Sequence, residues 1–244
     1  MNRIRTAIVT GASKGIGAAL ARRLAADGFH TVVNYSSSAA QAEEVVAAIN
    51  ADGGRAIAIG ADVANASAMK ALFDQAEAAF GPVDVLVNNA GIIKVSPLAE
   101  VTDEDYERLI AVNLTGTFNG MREGARRVRD GGRIINFSTS IIGNYLPNHG
   151  IYAATKAAVE ALTHILAKEL GTRGVTVNAV APGPVATELF LTGRSEELIQ
   201  RLTSDIPLGR LGQPDDIARV VSFLASPESG WINGQVVKAN GGRN

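Results

Sequence analysis

Tyr152 and Lys156 open an Ala-rich helical stretch as Tyr152-Ala153-Ala154-Thr155-Lys156. Positions i and i+4 share one helical face about 6 Å apart along the axis, so a phenol and an ammonium can point into one pocket. The pair suits proton transfer to a carbonyl oxygen that is becoming an alkoxide. The phenol, ordinarily titrating at about 10, donates the proton, and a neighbouring cation favours the phenolate that remains. Upstream, Ser138-Thr139-Ser140 ends an apolar run. A hydroxyl there can hydrogen-bond the same oxygen and stabilise its charge; Ser140 is the expected one, and a turn or capping cluster is the plainer use of these residues. Asn113, in an earlier helical stretch, can hold a water linking Lys156 to solvent protons, or bond its own backbone.

A second group can hold a diphosphate. Thr10-Gly11-Ala12-Ser13-Lys14-Gly15-Ile16-Gly17 stands between an apolar run and a helical stretch. Glycines at a strand-to-helix turn let backbone approach phosphate oxygens, and the first amides of the helix supply donors and partial positive charge. The spacing is G-x-x-x-G-x-G, and no Gly-Lys-Ser/Thr follows as a Walker loop needs. The next strand ends Asn34-Tyr35-Ser36-Ser37 without an acid. A carboxylate there would bind a ribose 2′-hydroxyl and repel a 2′-phosphate. Its absence, with Lys14 in the loop, favours NADP(H) over NAD(H). Asp62-Val63 can meet an adenine amine, or close an Asx turn before Ala64. Asn88-Asn89-Ala90-Gly91 lets backbone pass close to the same cofactor, or makes a polar turn.

These groups need elements to position them. Short apolar runs alternate with helical stretches, the signature of parallel strands joined by crossover helices. The fold class is therefore α/β. Strands are expected over Arg5 to Val9, Thr31 to Asn34, Ala56 to Gly60, Val85 to Asn88, Arg133 to Phe137, Thr176 to Val180 and Val236 to Ala239. Helices are expected over Ile16 to Ala26, Ala39 to Ala51, Ala66 to Ala79, Asp103 to Arg129, Tyr152 to Leu170, Thr187 to Thr203 and Pro214 to Leu224. No repeat or Pro/Gly/Ser-rich linker divides the 244 residues, so one domain spans 1–244. The stretch around 184–212 breaks the rhythm and is a candidate substrate lid, or a solvated excursion.

Composition narrows the partners. Lys and Arg number 23 against 24 Asp and Glu, for a net charge of -1, with no basic tract to grip nucleic acid. The absence of cysteine excludes disulfides and thiolate chemistry, and three scattered histidines make a metal site improbable. The opening MNRIRTAIVTG is too short in its apolar part for a signal or membrane span, so a cytoplasmic location is expected. His149, His30, His164 and Trp231 read as rim or packing residues. Ala153, Ala157, Ala161 and Leu162 form a small-residue face suited to close helix approach.

The chain resembles the short-chain dehydrogenase/reductases. TGASKGIG at Thr10 to Gly17, NNAG at Asn88 to Gly91, Asn113, Ser140, Tyr152 with Lys156, Pro182-Gly183 with Thr187, and the closing Asn240-Gly241-Gly242 match that family in order and spacing. The resemblance implies a Rossmann fold with a seven-stranded parallel sheet and helices on both faces, an Asn-Ser-Tyr-Lys catalytic set and a homotetramer. It also implies NADP(H) held by Gly11, Ser13, Lys14, Gly15, Ile16, Gly17, Asn34, Tyr35, Ser36, Asp62, Val63, Asn89, Ala90, Gly91, Tyr152, Lys156, Pro182, Gly183, Val185 and Thr187. Within the family it is most similar to 3-oxoacyl-carrier-protein reductases and trihydroxynaphthalene-reductase-like carbonyl reductases. Two features depart from the pattern. The family serine commonly precedes the tyrosine by thirteen positions, which here is Thr139, whereas Ser-x-x-Gly selects Ser140 with Gly143. Asn240 stands where an aspartate is frequent.

The expected activity is interconversion of a ketone and a secondary alcohol, with Ile142, Tyr145, Leu189 and Phe190 favouring an apolar or aromatic substrate. A competing reading is a sensor that binds NADP(H) and turns nothing over, for which a proton donor would be superfluous. A scaffold without cofactor is the third.

Overall fold

The computed structural model describes residues 4–244. Seven strands, β1 (Arg5–Val9), β2 (Phe29–Tyr35), β3 (Arg55–Gly60), β4 (Val83–Asn88), β5 (Arg133–Phe137), β6 (Thr176–Pro182) and β7 (Val236–Ala239), form one sheet. Its order is β3-β2-β1-β4-β5-β6-β7 and every pairing is parallel. The central strands are apolar on both faces because both are covered. In β1, Ala7 and Val9 enter one core with Leu20, Leu24, Val85 and Ile217, while Ile8 enters the other with Leu72, Phe73, Leu86 and Ile134. Alternation along each strand thus divides the apolar set between two helical layers. Chain order reverses between β1 and β4, which opens a crevice beyond their carboxyl ends.

The helices are α1 (Gly15–Ala26), α2 (Ala39–Ala51), α3 (Ala66–Phe80), α4 (Asp103–Leu109), α5 (Gly116–Arg127), α6 (Gly150–Glu169), α7 (Glu188–Leu191), α8 (Glu196–Ser204) and α9 (Pro214–Ala225). Thr102 caps α4, accepting from Asp105 N, and acids fill the first turn.

Two expected helices are corrected. The single helix over Asp103 to Arg129 is interrupted by a π-helical segment, Ile110–Thr115, and ends at Arg127. Within it Asn113 turns inward to bond the backbone of Ile92, and Thr117 Oγ1 donates to Asn113 O at 2.8 Å. Such insertions cluster where a helix serves a site. Beyond it, Gly116, Gly120 and Gly124 let α5 lie against the sheet; a Cβ at Gly120 would fall 2.0 Å from Asn88 Oδ1. The helix over Thr187 to Thr203 is broken by Gly193 at φ +75° into α7 and α8, and Ser195 caps the second. Strand β6 runs on to Pro182, which lacks a donor but whose carbonyl accepts from Ser140 N at 3.0 Å.

Candidate active site

The turn after β1 is shaped for close backbone approach. Gly11 and Gly15 take φ of +60° and +56°, a region that strains residues with a Cβ. A Cβ at Gly17 would lie 2.2 Å from Gly11 O, and one at Gly11 would lie 2.9 Å from Ala90 Cα. Thr10 and Asn89 lock this turn to the end of β4. Thr10 Oγ1 accepts from the amides of Asn89 and Ala90 at 3.0 and 3.1 Å, and Asn89 Nδ2 donates to the carbonyls of Thr10 and Gly11 at 2.9 and 3.1 Å. Helix α1 starts at Lys14 without a side-chain cap and with no acid in its first turn, so no side chain competes for its first amides. This cradle fits a dinucleotide diphosphate, which needs donors and bare backbone.

Other residues expected around the cofactor divide. Ser13 and Tyr35 are half-buried and Ser36 is exposed at the open end of β2, while Ile16 packs onto the first core. Asn34 is a correction: its side chain is buried beneath the loop, with Oδ1 accepting from Gly11 N at 3.3 Å and Nδ2 donating to Ile59 O and Ala61 O. Its polar atoms support the turn instead of facing the groove. Val63 is likewise turned inward, its side chain against Gly116 and its carbonyl bonded by Asn119 Nδ2. Asp62 closes an Asx turn, accepting from Ala64 N at 3.0 Å. Pro182, Gly183 and Val185 shape the backbone after β6, where Gly183 N donates to Ala239 O and Val185 is buried. Thr187 caps α7 and faces the glycine turn, 3.6 Å from the position of a Gly15 Cβ.

The proton-transfer residues meet across the mouth of β4 and β5. Lys156 is buried on α6, and its Nζ donates to Phe137 O at 2.8 Å. Asn113 Oδ1 accepts from Ile92 N at 2.8 Å and its Nδ2 donates to Ile92 O at 2.9 Å. A Cβ at Gly91 would lie 3.3 Å from Asn113 Oδ1 and 3.4 Å from Lys156 Nζ, so these three positions converge. Tyr152 stands on the same face of α6 as Lys156, and against the rise that burial causes, the Thr139 side chain draws its phenol down. Thr139 is thus the hydroxyl that acts on the phenol, and both it and Ser140 are buried at the end of β5. Ser138 is turned away to Glu160, with an Oγ–Oε1 distance of 2.6 Å, and Ser140 contributes its backbone to Pro182.

The comparisons with known proteins decide the family. A family model described as enoyl-(acyl carrier protein) reductase matches residues 11–244. The chain is 47% identical to an Arabidopsis thaliana protein named NADPH-dependent aldehyde reductase 2, chloroplastic, over 98% of this chain and 93% of that one. It is 42% identical to a hydroxynaphthalene reductase-like protein of Metarhizium brunneum, over 98% and 94%. A short chain dehydrogenase from Burkholderia cenocepacia, solved in complex with NADP, superposes with a TM-score of 0.94 at 40% identity, over 99% of this chain and 98% of that one. The chain belongs to the short-chain dehydrogenase/reductases.

In this dehydrogenase/reductase the electrostatics of the pair run against one expectation. Sequence reasoning has the Lys156 cation drawing the Tyr152 phenol down. In the folded chain burial pushes the phenol above its usual value, and the Thr139 hydrogen bond offsets part of that rise. Burial likewise pulls Lys156 down to about 8. Both groups are thus held nearer their neutral forms than in water.

Sequence reasoning also missed Thr10 and Asn136 as supports. Asn136 Nδ2 donates to Thr163 Oγ1 on α6 and its Oδ1 accepts from Asn88 Nδ2, so a buried polar chain ties β4, β5 and α6 under the site. A lone Asn inside the apolar run Arg133 to Phe137 was its signal. The segment around 184–212 has a closed neck: Val185 pairs with Gly212, and Ala186 N donates to Gly212 O at 2.8 Å.

Proposed function

We propose that this protein is an NADP(H)-dependent reductase that interconverts a carbonyl compound and its alcohol, a ketone and a secondary alcohol in the main case. The observation that carries the reading is the convergence of Lys156 and Asn113 at Gly91, with Tyr152 on the same face of α6, beside a glycine cradle at the chain-order reversal. Bound coenzyme would supply the hydride. The Tyr152 hydroxyl holds the proton destined for the substrate oxygen, and the Thr139 hydroxyl, which acts on that phenol, would turn its single hydrogen onto the substrate oxygen as it gains charge. Lys156, fixed at its carbonyl partner on β5, favours the phenolate once the proton has left. Asn113 spends its amide on Ile92 and keeps a second Oδ1 lone pair beside Lys156 for a proton-carrying water. The two helices of the segment 184–212, hinged at its closed neck, serve as the lid.

The aldehyde and hydroxynaphthalene reductase relatives support a carbonyl substrate with an apolar body. Tyr145 and Leu189, 71% and 58% exposed, offer such surface on the loop before α6 and on the lid. NADPH oxidation should be followed over aldehydes, aromatic diketones, quinones, a 3-oxoacyl thioester and an enoyl thioester. Turnover with the carbonyl compounds is expected; consumption with the enoyl thioester alone would overturn the assignment. Trp231, Ile165 and Phe223 are among the exposed apolar side chains that a homotetramer would cover. Among the described residues no helix is long and apolar enough to cross a membrane; a cytoplasmic site of action is part of the proposal.

Lys14 bears on coenzyme choice. Its Nζ lies 2.8 Å from Glu188 Oε2 at the root of the lid, and both side chains are exposed. A 2′-phosphate recruiting Lys14 must displace that carboxylate. Exposed ion pairs are weak, so Glu188→Gln is expected to tighten NADPH by about two- to fivefold and leave NADH unchanged in fluorescence titrations. Equal changes for both coenzymes would remove Lys14 from phosphate recognition.

A further inference from the structure

The turn that carries Thr139 is held from behind by two amides far along the chain. Asn244 Nδ2 donates to Ser140 O at 2.6 Å. Ser140 N donates to Pro182 O at 3.0 Å, so the peptide units on both sides of Ser140 are fixed, including the one that joins it to Thr139. Asn244 also abuts the same turn at Gly143, where a Cβ would fall 3.1 Å from its Nδ2, and Gly143 takes φ +112°. Asn244 is itself oriented. Asn240 Nδ2 donates to Asn244 Oδ1 at 2.7 Å, while Asn240 Oδ1 accepts from Gly242 N at 3.0 Å.

The polarity of this relay matters. An amide presents a donor at one end and an acceptor at the other. Because Asn240 gives a hydrogen to the Asn244 oxygen, the Asn244 nitrogen is the end left to face Ser140 O. A carboxylate at 240 has no hydrogen to give. It would attract the Asn244 nitrogen, turn the amide over and set its oxygen against Ser140 O, two acceptors facing each other. The residue at 240 therefore decides whether the catalytic turn is latched.

We propose that Asn240 and Asn244 form a directional amide relay that positions the Thr139–Ser140 turn against Tyr152, making both positioning residues for turnover. The proposal rests on the assignment of Thr139 as the hydroxyl beside the phenol. It predicts that Asn244→Ala and the near-isosteric Asn240→Asp each lower kcat about three- to tenfold, the scale of one hydrogen bond, with NADPH Kd within about twofold and Tm nearly unchanged. Deuterium exchange of the backbone over 139–143 should quicken in both variants. In a Thr139→Ala background neither substitution should lower kcat further, because the group they position is gone.

Unchanged kcat and unchanged exchange in both variants, with Thr139→Ala still impaired, would overturn the relay. If Thr139→Ala itself turned over normally, the assignment of that hydroxyl would fall, and the exchange data alone would judge the latch: faster exchange supports it and unaltered exchange refutes it. Asn240→Asp behaving like the parent chain while Asn244→Ala does not would refute the directional part.

Discussion

Tyr152→Phe should lower carbonyl turnover by about 10²- to 10⁴-fold, the range general acid catalysis supplies, while NADPH Kd stays within about twofold. The phenylalanine ring fills the same volume, so the fold has no reason to move. What is lost is one hydroxyl, beside the Thr139 side chain. The neutral partner left behind is a threonine hydroxyl that can rotate to another acceptor, so Tm should change little. Rapid-mixing measurement of NADPH oxidation at saturating substrate isolates kcat from binding. A sensor that only binds the coenzyme would show the same occupancy in both chains and no turnover in either. Retained turnover in the variant would take the phenol out of the mechanism.

Lys156→Met should abolish turnover and also change how stability depends on pH. Lys156 titrates at about 8 in the folded chain, against 10.5 for an ordinary lysine. Between these values the unfolded chain holds a proton that the folded chain lacks, so the free energy of unfolding rises with pH across that window. Below about 8 both states are protonated and the folded chain carries the full cost of a buried charge, at most about 3 kcal/mol from the size of the shift. Methionine fills the space without the charge but leaves Phe137 O without its donor, which costs about 1–3 kcal/mol. The two nearly offset at pH 7, whereas the slope does not depend on that balance. Urea unfolding of both chains from pH 7 to 10 should show parent stability rising relative to the variant as the pH passes 8. Parallel curves would mean that the ammonium is not held down by burial. The same titration bears on activity: kcat/KM should fall above pH 8 as the cation that stabilises the phenolate discharges.

The stability cost and the activity have one origin. Burial that raises the phenol and lowers the ammonium destabilises the charged forms of both. A proton donor whose phenol is pushed up retains its proton until a charged oxygen develops next to it, which is when donation is useful.

The sequence by itself determined the sheet, the glycine cradle and the Tyr152–Lys156 pair, because each follows from local rules. A two-sided apolar run can only be a covered strand, glycines before a helix permit positive φ and close approach, and a spacing of four fixes a helical face. Three strands, β1, β5 and β7, keep their expected limits. The tertiary structure alone decided matters that depend on distant residues. Asn113 turns inward from its helix to the backbone of Ile92, a contact invisible to helical periodicity. Asn34 points under the loop because the carbonyls of Ile59 and Ala61 need donors there. Which hydroxyl acts on the phenol depends on how the end of β5 meets α6, where Thr139 draws it down, and spacing gave two answers. Hydrogen bonds between groups more than a hundred residues apart, such as Asn244 to Ser140, exist only once the chain has closed its sheet, since the geometry that forms them is set by packing and not by neighbours in sequence.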